Sequence, residues 1–474
     1  MYKKIDTEVV VIGSGPAGYS AAFRCADLGL KTILVERYSS LGGVCLNVGC
    51  IPSKSLLEVS KIISKTKTAK EKGIFFEKPK IDLSNVNEWK NSIVNRLSNG
   101  LSNLAKKRKI QVIQGKAFFT SKNSIEIKGC NDNIIVKFSY SIIATGSRPI
   151  DLSILSFSND SRIWNSTNAL NITKIPSRLL IVGAGAIGLE MATLYSSFGS
   201  SVDVVDTSNE LFSFLDSDIV SVFENRIQNK FNIFLETSIL EVNFESHGIK
   251  ILFLNKNSSS KNYKAYDAIL VAIGRKPNSE KLNLREIGIE VDKIGFIKVN
   301  NQMQTTISNI FSVGDVTGYP MLAHKGMHQA HIAAEVISGK SHFFDTKIIP
   351  SIIYTDPEIG WVGLSEKEAL SFGIDCRSVV LPWNILGKAI LQDSEFGKTK
   401  LIFDKKTNKI IGGIVVGVNA GELLGEIGLS IEMGCDSEDI SLTIHSHPTI
   451  YESIGLSAQM FNGTITDLFV SNKK

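Results

Sequence analysis

The chain has 474 residues, enough for more than one domain, and its 43% hydrophobic and 21% charged residues are typical of a globular enzyme. Its net charge of +5 is too small and too dispersed to indicate a nucleic-acid partner, and short basic runs such as Lys106–Lys109 are expected at solvated helix ends. Six cysteines in so long a chain exclude a secreted disulfide scaffold.

The first residues, Met1–Asp6, pass directly into a predicted strand, without the apolar core of a signal peptide. No apolar run approaches the roughly 18 residues of a membrane helix. We therefore expect a cytoplasmic protein. In that reducing compartment, a working disulfide is more often redox-active than structural.

The first predicted elements form a βαβ unit. Glu8–Ile12 is a short apolar run typical of a buried parallel strand. It leads through Gly13-x-Gly15-x-x-Gly18 into a predicted helix, Tyr19–Leu28, and then into a second strand, Thr32–Val35, which is followed by Glu36. This order is the dinucleotide-binding fingerprint: glycines for the turn and for close approach of a pyrophosphate, a helix N-terminus for the phosphates, and an acid for the ribose hydroxyls.

The stretch Leu41–Lys54 contains Cys45 and Cys50, with four residues between them. A disulfide needs Cα atoms within about 7 Å of each other, whereas five residues of ideal helix already rise about 7.5 Å. The chain must therefore leave helical geometry here, and Gly49, which has no Cβ, is expected to allow this.

Such a pair is a candidate strained, reducible disulfide. Two buried unpaired thiols and a structural zinc site are the alternatives, although no second cluster of zinc-type ligands accompanies the pair. The remaining cysteines are expected to be isolated thiols: Cys25, Cys130, Cys376 and Cys435.

The βαβ unit recurs. The apolar strand that begins at Arg178 leads through Gly183-x-Gly185-x-x-Gly188 to a predicted helix, Leu189–Phe198, and a strand, Ser201–Val205, followed by Asp206. In both copies the acid lies 23 positions after the first glycine. Two fingerprints predict two dinucleotide cofactors. The alternative, a duplicated fold with one inactive site, finds no support because neither copy lacks a motif residue.

The segment after Asp206 begins with Thr207 and contains no arginine that could receive a 2′-phosphate, so it favours NAD over NADP.

Other strand-like segments are expected to complete the nucleotide sites. Backbone of Gly115–Ala117 could contact an adenine, and Ser141–Gly146 and Ala268–Gly274 form a matched pair of closing strands, although plain core strands would look the same. Ile310–Asp315 is a strand that ends in an acid suited to a ribitol chain, and a helix is predicted over Lys325–Ile337.

Beyond about Thr346 a third, α+β domain is predicted. Thr399–Asp404 and Lys409–Val416 are typical of antiparallel strands around a turn. Amphipathic helices are expected over Gly421–Met433 and near Ser437–Ile444.

The last motif is His445-Ser-His447-Pro448-Thr-Ile-Tyr-Glu452. A dithiol must lose protons before a thiolate can attack, and imidazole is the usual base. Glu452 could hold His447 in one tautomer. The alternative is a surface histidine pair beside an acid that starts a helix.

From Thr7 to about Asp467 the chain resembles the flavoprotein disulfide reductases. The resemblance rests on both glycine fingerprints, Gly42–Lys54 with its cysteine pair, Ala144–Gly146, Ser312–Asp315, Met321–Lys325 and the His445–Glu452 motif. It implies an α/β fold with two Rossmann-like nucleotide-binding domains, for FAD (1–148) and NAD (149–275), a central segment (276–345) that completes the FAD domain, and a C-terminal α+β dimerisation domain (346–474).

The resemblance also implies cofactor-binding residues. They are Gly13, Gly15, Gly18, Glu36, Gly43, Lys54, Ala117, Thr145, Gly146, Asp315, Ala323, Val182, Gly183, Gly185, Ala186, Gly188, Glu190, Asp206 and Gly274. Lys54 is expected near the flavin, paired with Glu190.

In this family Cys45 would exchange with the substrate sulfur and Cys50 would pass electrons to the flavin. His447, assisted by Glu452, would be the acid–base group and would come from the other subunit of a homodimer. The chain is most similar to the branch that oxidises dihydrolipoamide with NAD⁺. The lipoyl group would arrive on a partner: the lipoyl domain of a 2-oxo acid dehydrogenase acyltransferase, or a glycine cleavage carrier protein.

Related reductases that use NADPH would need basic residues after Val205, where this chain has Asp206 and Thr207. Related reductases that act on mercuric ion or thioredoxin carry an extra C-terminal cysteine pair, which Val470–Lys474 lacks. A non-catalytic scaffold role is a further alternative, but every expected catalytic residue is present.

Overall fold

The computed structural model of the chain describes residues 3–129, 133–157 and 160–469. Cys130 and the C-terminal residues 470–474 lie outside this range. The chain forms two compact units. The first comprises the residues up to Val59, Glu77–Lys174 and Ile273–Asp345, and the second comprises Ser60–Phe76, Ile175–Ala272 and the residues from Thr346 onward.

The strands, in chain order, are β1 (Lys3–Ile12), β2 (Thr32–Glu36), β3 (Gln111–Gln114), β4 (Lys116–Ser121), β5 (Ser124–Lys128), β6 (Asn133–Ile143), β7 (Ser147–Pro149), β8 (Ile163–Trp164), β9 (Arg178–Val182), β10 (Ser201–Val205), β11 (Asn232–Phe234), β12 (Thr237–Glu245), β13 (Gly248–Asn255), β14 (Lys261–Tyr266), β15 (Ala268–Val271), β16 (Arg275–Pro277), β17 (Ile310–Ser312), β18 (Ser351–Ile353), β19 (Glu358–Gly363), β20 (Cys376–Pro382), β21 (Lys398–Asp404) and β22 (Ile410–Gly417).

The α-helices are α1 (Pro16–Asp27), α2 (Gly43–Val48), α3 (Cys50–Thr68), α4 (Leu83–Lys107), α5 (Ala186–Ser197), α6 (Ser217–Ile227), α7 (Ala323–Ile337), α8 (Glu366–Ser371), α9 (Gly387–Leu391), α10 (Ala420–Met433), α11 (Ser437–Leu442) and α12 (Glu452–Asn462).

The first unit is built on one sheet in the order β3-β2-β1-β6-β5-β4, with β17 paired to β6. Strands β1, β2, β3, β6 and β17 pair in parallel, whereas β4, β5 and β6 pair antiparallel. Val9, Val10 and Val11 have no exposed surface, as expected of a parallel strand covered on both faces. The carboxyl ends of β1, β6 and β17 therefore meet at one edge, which is where parallel α/β sheets bind ligands.

The second unit contains a parallel sheet in which four strands run in the order β11-β10-β9-β15. It also contains an antiparallel sheet, β12-β13-β14, and a five-stranded antiparallel sheet, β18-β19-β22-β21-β20. Helices α10 and α12 cover the five-stranded sheet with a buried apolar cluster that includes Trp383, Ile427 and Ile454. This confirms the expected α+β character of the C-terminal part.

The predicted helices after both fingerprints start three residues too late. Helix α1 begins at Pro16 rather than Tyr19, and α5 begins at Ala186 rather than Leu189. The physical reason is that the last glycine of each fingerprint already belongs to the first helical turn. The helix predicted near Ser437–Ile444 ends at Leu442, because Thr443 is extended.

Among the residues that the structure describes, no helix has both the length and the apolar character needed to cross a membrane.

Candidate active site

The first glycine loop connects β1 to α1, with Gly15 as the residue that precedes the helix. Gly18 has to be glycine, because a Cβ there would lie 1.8 Å from the carbonyl oxygen of Gly13. Around Gly15 the space is open: a Cβ would meet only the Cα of Gly43, at 4.0 Å. No side chain caps the N-terminus of α1, so its first N–H groups are available to an anion such as a pyrophosphate.

Glu36 closes this loop from the end of β2. Its Oε2 accepts hydrogen bonds from the backbone N–H of Ser14 (2.9 Å) and from the Ser14 hydroxyl (2.6 Å), and its Oε1 accepts one from the N–H of Tyr38 (3.0 Å). The predicted acid is therefore at the loop, as the fingerprint requires. Ser14, which holds it there, was not identified from the sequence.

The second loop repeats this geometry between β9 and α5. A Cβ at Gly188 would lie 2.0 Å from the carbonyl oxygen of Gly183, and a Cβ at Gly185 would meet nothing within 4 Å. Gly185 precedes α5, which again has no side-chain cap. The residues present at both loops therefore fit a dinucleotide, since each leaves open backbone and uncapped N–H groups where a pyrophosphate would approach.

Asp206 occupies the position equivalent to Glu36. Its Oδ2 accepts from the N–H of Ala184 (2.7 Å), and its Oδ1 accepts from the N–H (2.9 Å) and hydroxyl (2.7 Å) of Ser208. Burial opposes ionisation of Asp206, but the hydrogen bonds from Ala184 and Ser208 outweigh it and hold its pKa below the ordinary value. A carboxylate is thus fixed at the end of β10.

The cysteine pair lies at a break between two helices. Helix α2 ends at Val48 and α3 begins at Cys50, so Gly49 alone separates them, with φ −141° and ψ −110°. A Cβ at Gly49 would lie 2.9 Å from the carbonyl oxygen of Val44 and 3.3 Å from the Cα of Cys45. The predicted departure from helical geometry at Gly49 is confirmed.

Helix α2 rests on the first glycine loop. Gly42 donates its N–H to the carbonyl oxygen of Ser14 (2.9 Å), and a Cβ at Gly43 would lie 2.5 Å from the Cα of Gly15. The side chain of Asn47 donates to the carbonyl oxygens of Leu41 (3.0 Å) and Gly43 (2.9 Å) and so fixes the segment that leads into α2. The cysteines are therefore built directly onto the first nucleotide loop.

The structure holds Cys45 and Cys50 as thiols, with a side-chain hydrogen bond between them. That hydrogen bond, burial and the negative charge of Cys50 raise the pKa of Cys45 above its ordinary range, while the Lys54 ammonium opposes the shift.

Tyr19 and Arg275 also lie near the thiols, and neither was identified from the sequence as part of this site. Burial and then the charges of Cys45 and Cys50 raise the pKa of Tyr19. Burial lowers the pKa of Arg275, and the charges of Asp315 and Cys50 oppose that shift. Tyr19 lies in the first turns of α1, directly after the glycine fingerprint, and this position could have indicated a place in the site. Nothing in the sequence links Arg275 to the cysteines.

Asp315 is part of the same network. Its Oδ2 accepts from the hydroxyl of Ser147 (2.6 Å), which in turn accepts from Nε of Arg275 (2.8 Å). Thr145 and Asn278 exchange hydrogen bonds through the Thr145 hydroxyl (2.8 Å) and the Asn278 amide (2.9 Å). The predicted residues Thr145 and Asp315 are thus fixed near the ends of β6 and β17.

Other predicted residues lie as follows. Ala117 is buried on β4, Gly146 precedes β7, and Ala323 is the first residue of α7. Glu190 is buried on α5 and accepts from the N–H of Tyr354 (3.0 Å). The pairing of Lys54 with Glu190 stays a prediction.

The second unit carries the histidine motif between α11 and α12. Nδ1 of His447 lies 2.8 Å from Oε1 of Glu452, and Oε2 of Glu452 accepts from the N–H of Thr449 (2.6 Å). Because Glu452 accepts at Nδ1, Nε2 of His447 carries the lone pair that can take a proton. The His447 side chain is 76% exposed and Glu452 is 19% exposed.

Two family profiles match the chain. The pyridine nucleotide-disulphide oxidoreductase profile covers residues 7–330, and the dimerisation-domain profile of the same family covers residues 349–458. The chain belongs to the pyridine nucleotide-disulphide oxidoreductase family. As in that family, its cofactors are FAD and NAD, and the dimerisation domain supports a homodimer.

The chain is also similar over its full length to members of one branch of this family. The dihydrolipoyl dehydrogenase of Buchnera aphidicola is 55% identical over 468 residues, 99% of this chain and 98% of that protein. The dihydrolipoyl dehydrogenase of Vibrio cholerae is 54% identical with the same coverage. Among solved structures, the HOCl-induced flavoprotein disulfide reductase RclA from Escherichia coli matches with a TM-score of 0.85 and 25% identity, over 96% of this chain and 99% of that one.

Proposed function

We propose that the chain is a dihydrolipoyl dehydrogenase that oxidises protein-bound dihydrolipoamide through Cys45 and Cys50. The observation that carries the proposal is the cysteine pair at the α2–α3 break, built onto the first nucleotide loop. The full-length dihydrolipoyl dehydrogenases that are 54–55% identical to the chain support the choice of substrate.

The first loop, with Glu36 and Asp315, would hold FAD, and the second, with Asp206, would hold NAD. FAD, when bound, takes the electron pair of the dithiol and transfers it to NAD⁺. The chain itself supplies position and charge: α1 and α5 present uncapped N–H groups to the two pyrophosphates. The carboxylate of Asp206 favours a free ribose and disfavours a 2′-phosphate.

Catalysis starts with a proton transfer at His447. Nε2 takes the proton of a dihydrolipoamide thiol, and Glu452, hydrogen-bonded at Nδ1, stabilises the imidazolium that forms. The substrate thiolate attacks Sγ of Cys45 in the oxidised enzyme, the Cys45–Cys50 bond breaks, and Cys50 leaves as a thiolate.

The second substrate thiol then attacks the mixed disulfide, at the sulfur that belongs to the substrate rather than at Sγ of Cys45. Lipoamide leaves as a cyclic disulfide, and Cys45 is released as a thiol. The products on the enzyme are one thiol and one thiolate, with the charge on Cys50. The hydrogen bond to Cys50 and burial, which raise the pKa of Cys45, support keeping the proton on Cys45.

The lipoyl group would be delivered by a separate carrier, the lipoyl domain of a 2-oxo acid dehydrogenase acyltransferase or a glycine cleavage carrier protein. We place the enzyme in the cytoplasm. A reducing compartment suits a dithiol that must cycle between its two states.

The direct test is to purify the protein and add dihydrolipoamide with NAD⁺. A yellow protein that forms NADH, and forms much less with NADP⁺, is expected. A colourless protein, or a yellow one that forms no NADH, would reject the proposal. A yellow protein that instead oxidises NADPH with another disulfide would assign the chain to a different flavoprotein disulfide reductase.

A further inference from the structure

His445 and His447 are two residues apart, yet their surroundings differ. The His447 side chain is 76% exposed, whereas that of His445 is 8% exposed. The ring of His445 lies beside that of Tyr451, with centroids 5.4 Å apart. Gly455 on α12 makes room for it, because a Cβ there would lie 2.7 Å from Nδ1 of His445. The fold thus encloses the first histidine and presents the second.

Both ring nitrogens of His445 face hydrogen-bond acceptors. Nδ1 lies 2.8 Å from the carbonyl oxygen of Thr443, and Nε2 lies 2.8 Å from Oε1 of Glu426 on α10. A neutral imidazole can donate from one nitrogen only, so it would leave a lone pair facing an acceptor. The imidazolium satisfies both contacts. Consistently, the hydrogen bond to Glu426 raises the pKa of His445, against the effect of burial.

The segment that carries His447 is tied down on both sides. His445 links it to Glu426 on α10. Toward α12, the N–H of Ser446 donates to the Tyr451 hydroxyl (2.8 Å), and the N–H of Thr449 donates to the carboxylate of Glu452 (2.6 Å). The position of the exposed His447 ring therefore depends on these neighbouring anchors.

We propose that His445 is a positioning residue for the dithiol reaction, a cation paired with Glu426 that holds the segment presenting His447. The inference rests on the proposed role of His447 as the acid–base group. The charged and titratable groups around His445 are Glu426 on α10, Tyr451 and Glu452 at the start of α12, and His447 itself.

The test compares His445→Gln and Glu426→Gln in the FAD-loaded enzyme. We expect kcat for dihydrolipoamide with NAD⁺ to fall about tenfold in both, because the base is misplaced. The rate from NADH to ferricyanide should change by less than about twofold, since it does not use His447. His247→Gln, at an exposed histidine in the turn before β13, is the control and should leave both rates unchanged.

The pH profile separates positioning from a general loss of structure. In His445→Gln the apparent pKa of the dithiol step should rise by about 0.5 pH unit, because a cation is removed and Glu426 is left unpaired. Equal losses of both activities, or an unchanged rate and pH profile in folded variants, would overturn the proposal.

A readout independent of activity is ¹⁵N NMR of the histidine rings in the wild-type holoenzyme. His445 should remain cationic well above pH 6.5 and should lose this property in Glu426→Gln. A neutral His445 ring at pH 7 would also overturn the proposal. Absence of dihydrolipoamide oxidation in the wild type would instead reject the proposed function, whatever the charge of His445.

Discussion

Gly49 shows what residue spacing can predict. The spacing of Cys45 and Cys50 requires the helix to break between them, and the break occurs at Gly49. The surroundings of the thiols could not be predicted in the same way. Tyr19 and Arg275 reach the cysteines through packing between distant parts of the chain, which no local pattern encodes.

Gly49→Ala tests this break. The new Cβ would lie 2.9 Å from the carbonyl oxygen of Val44, so the backbone between the cysteines must shift. We expect dihydrolipoamide oxidation to fall by about tenfold or more, because the sulfurs are displaced. NADH oxidation by ferricyanide and the FAD content should persist.

The matched control is Gly100→Ala within α4, where a Cβ meets nothing within 4 Å. It should keep full activity and slightly raise thermal stability. Equal activity of the two variants would show that the break tolerates a side chain.

Asp206 is the residue on which we expect the choice between NAD⁺ and NADP⁺ to depend. Asp206→Asn keeps the shape but removes the charge, so we expect the KM for NAD⁺ to rise about tenfold and the preference for NAD⁺ over NADP⁺ to shrink by a similar factor. Steady-state kinetics with both nucleotides would measure this. Glu210→Gln, at a half-exposed side chain nearby in sequence, should change neither value. An undiminished preference in Asp206→Asn would remove Asp206 from the selectivity site.

At the scale of elements, the two βαβ fingerprints could be predicted almost completely, because strand, glycine loop, helix and acid follow one another in the sequence. The histidine segment could not. Its two histidines look equivalent in sequence, but Glu426 on α10 and Gly455 on α12 enclose only His445. The packing of the neighbouring helices α10 and α12 therefore decides which of two like residues is buried.

Lys400 on β21 is a buried residue that likewise depends on contacts with other helices. Its ammonium lies 3.1 Å from Asp216 and 3.0 Å from Asp218 at the start of α6, and 2.9 Å from Glu366 on α8, with only 3% of the side chain exposed. Lys400→Met would leave these carboxylates without their shared cation. We expect the melting temperature to fall by about 5 °C.

Lys405→Met is the control for Lys400→Met in thermal unfolding, because Lys405 forms an exposed ion pair. It pairs with Asp375 at 2.6 Å, but the two side chains are 49% and 76% exposed. Lys405→Met should lower the melting temperature by less than about 1 °C. Similar shifts in both variants would mean that burial does not govern the strength of these pairs.

For the whole molecule, the α/β class and the α+β C-terminal part could be predicted from the order of the motifs. The antiparallel pairing among β4, β5 and β6 and among β12, β13 and β14 could not, because strands without a motif do not show in sequence which strand they pair with. The division of labour between subunits is a further prediction: the dithiol lies in the first unit and His447 in the second, and the family resemblance implies that His447 acts on the dithiol of the other subunit.

Mixed dimers of Cys45→Ser and His447→Gln subunits test that arrangement. If His447 acts across the dimer, one of the two sites in each mixed dimer has both residues intact, so about half of the wild-type activity should return. Differently tagged subunits, co-expressed and purified on both tags, would provide the mixed dimer. Activity no higher than that of the two parent variants would place both residues of a site in the same subunit.

The central claim is that Cys45 is the residue that exchanges with the substrate dithiol, and Cys45→Ser in the FAD-loaded enzyme tests it most directly. Measured side by side, dihydrolipoamide-dependent NADH formation should fall to background, while NADH oxidation by ferricyanide stays within about twofold of the wild type. Cys435→Ser, at an isolated and partly exposed cysteine, should retain both activities. NADH formation from dihydrolipoamide that survives in Cys45→Ser would contradict the account.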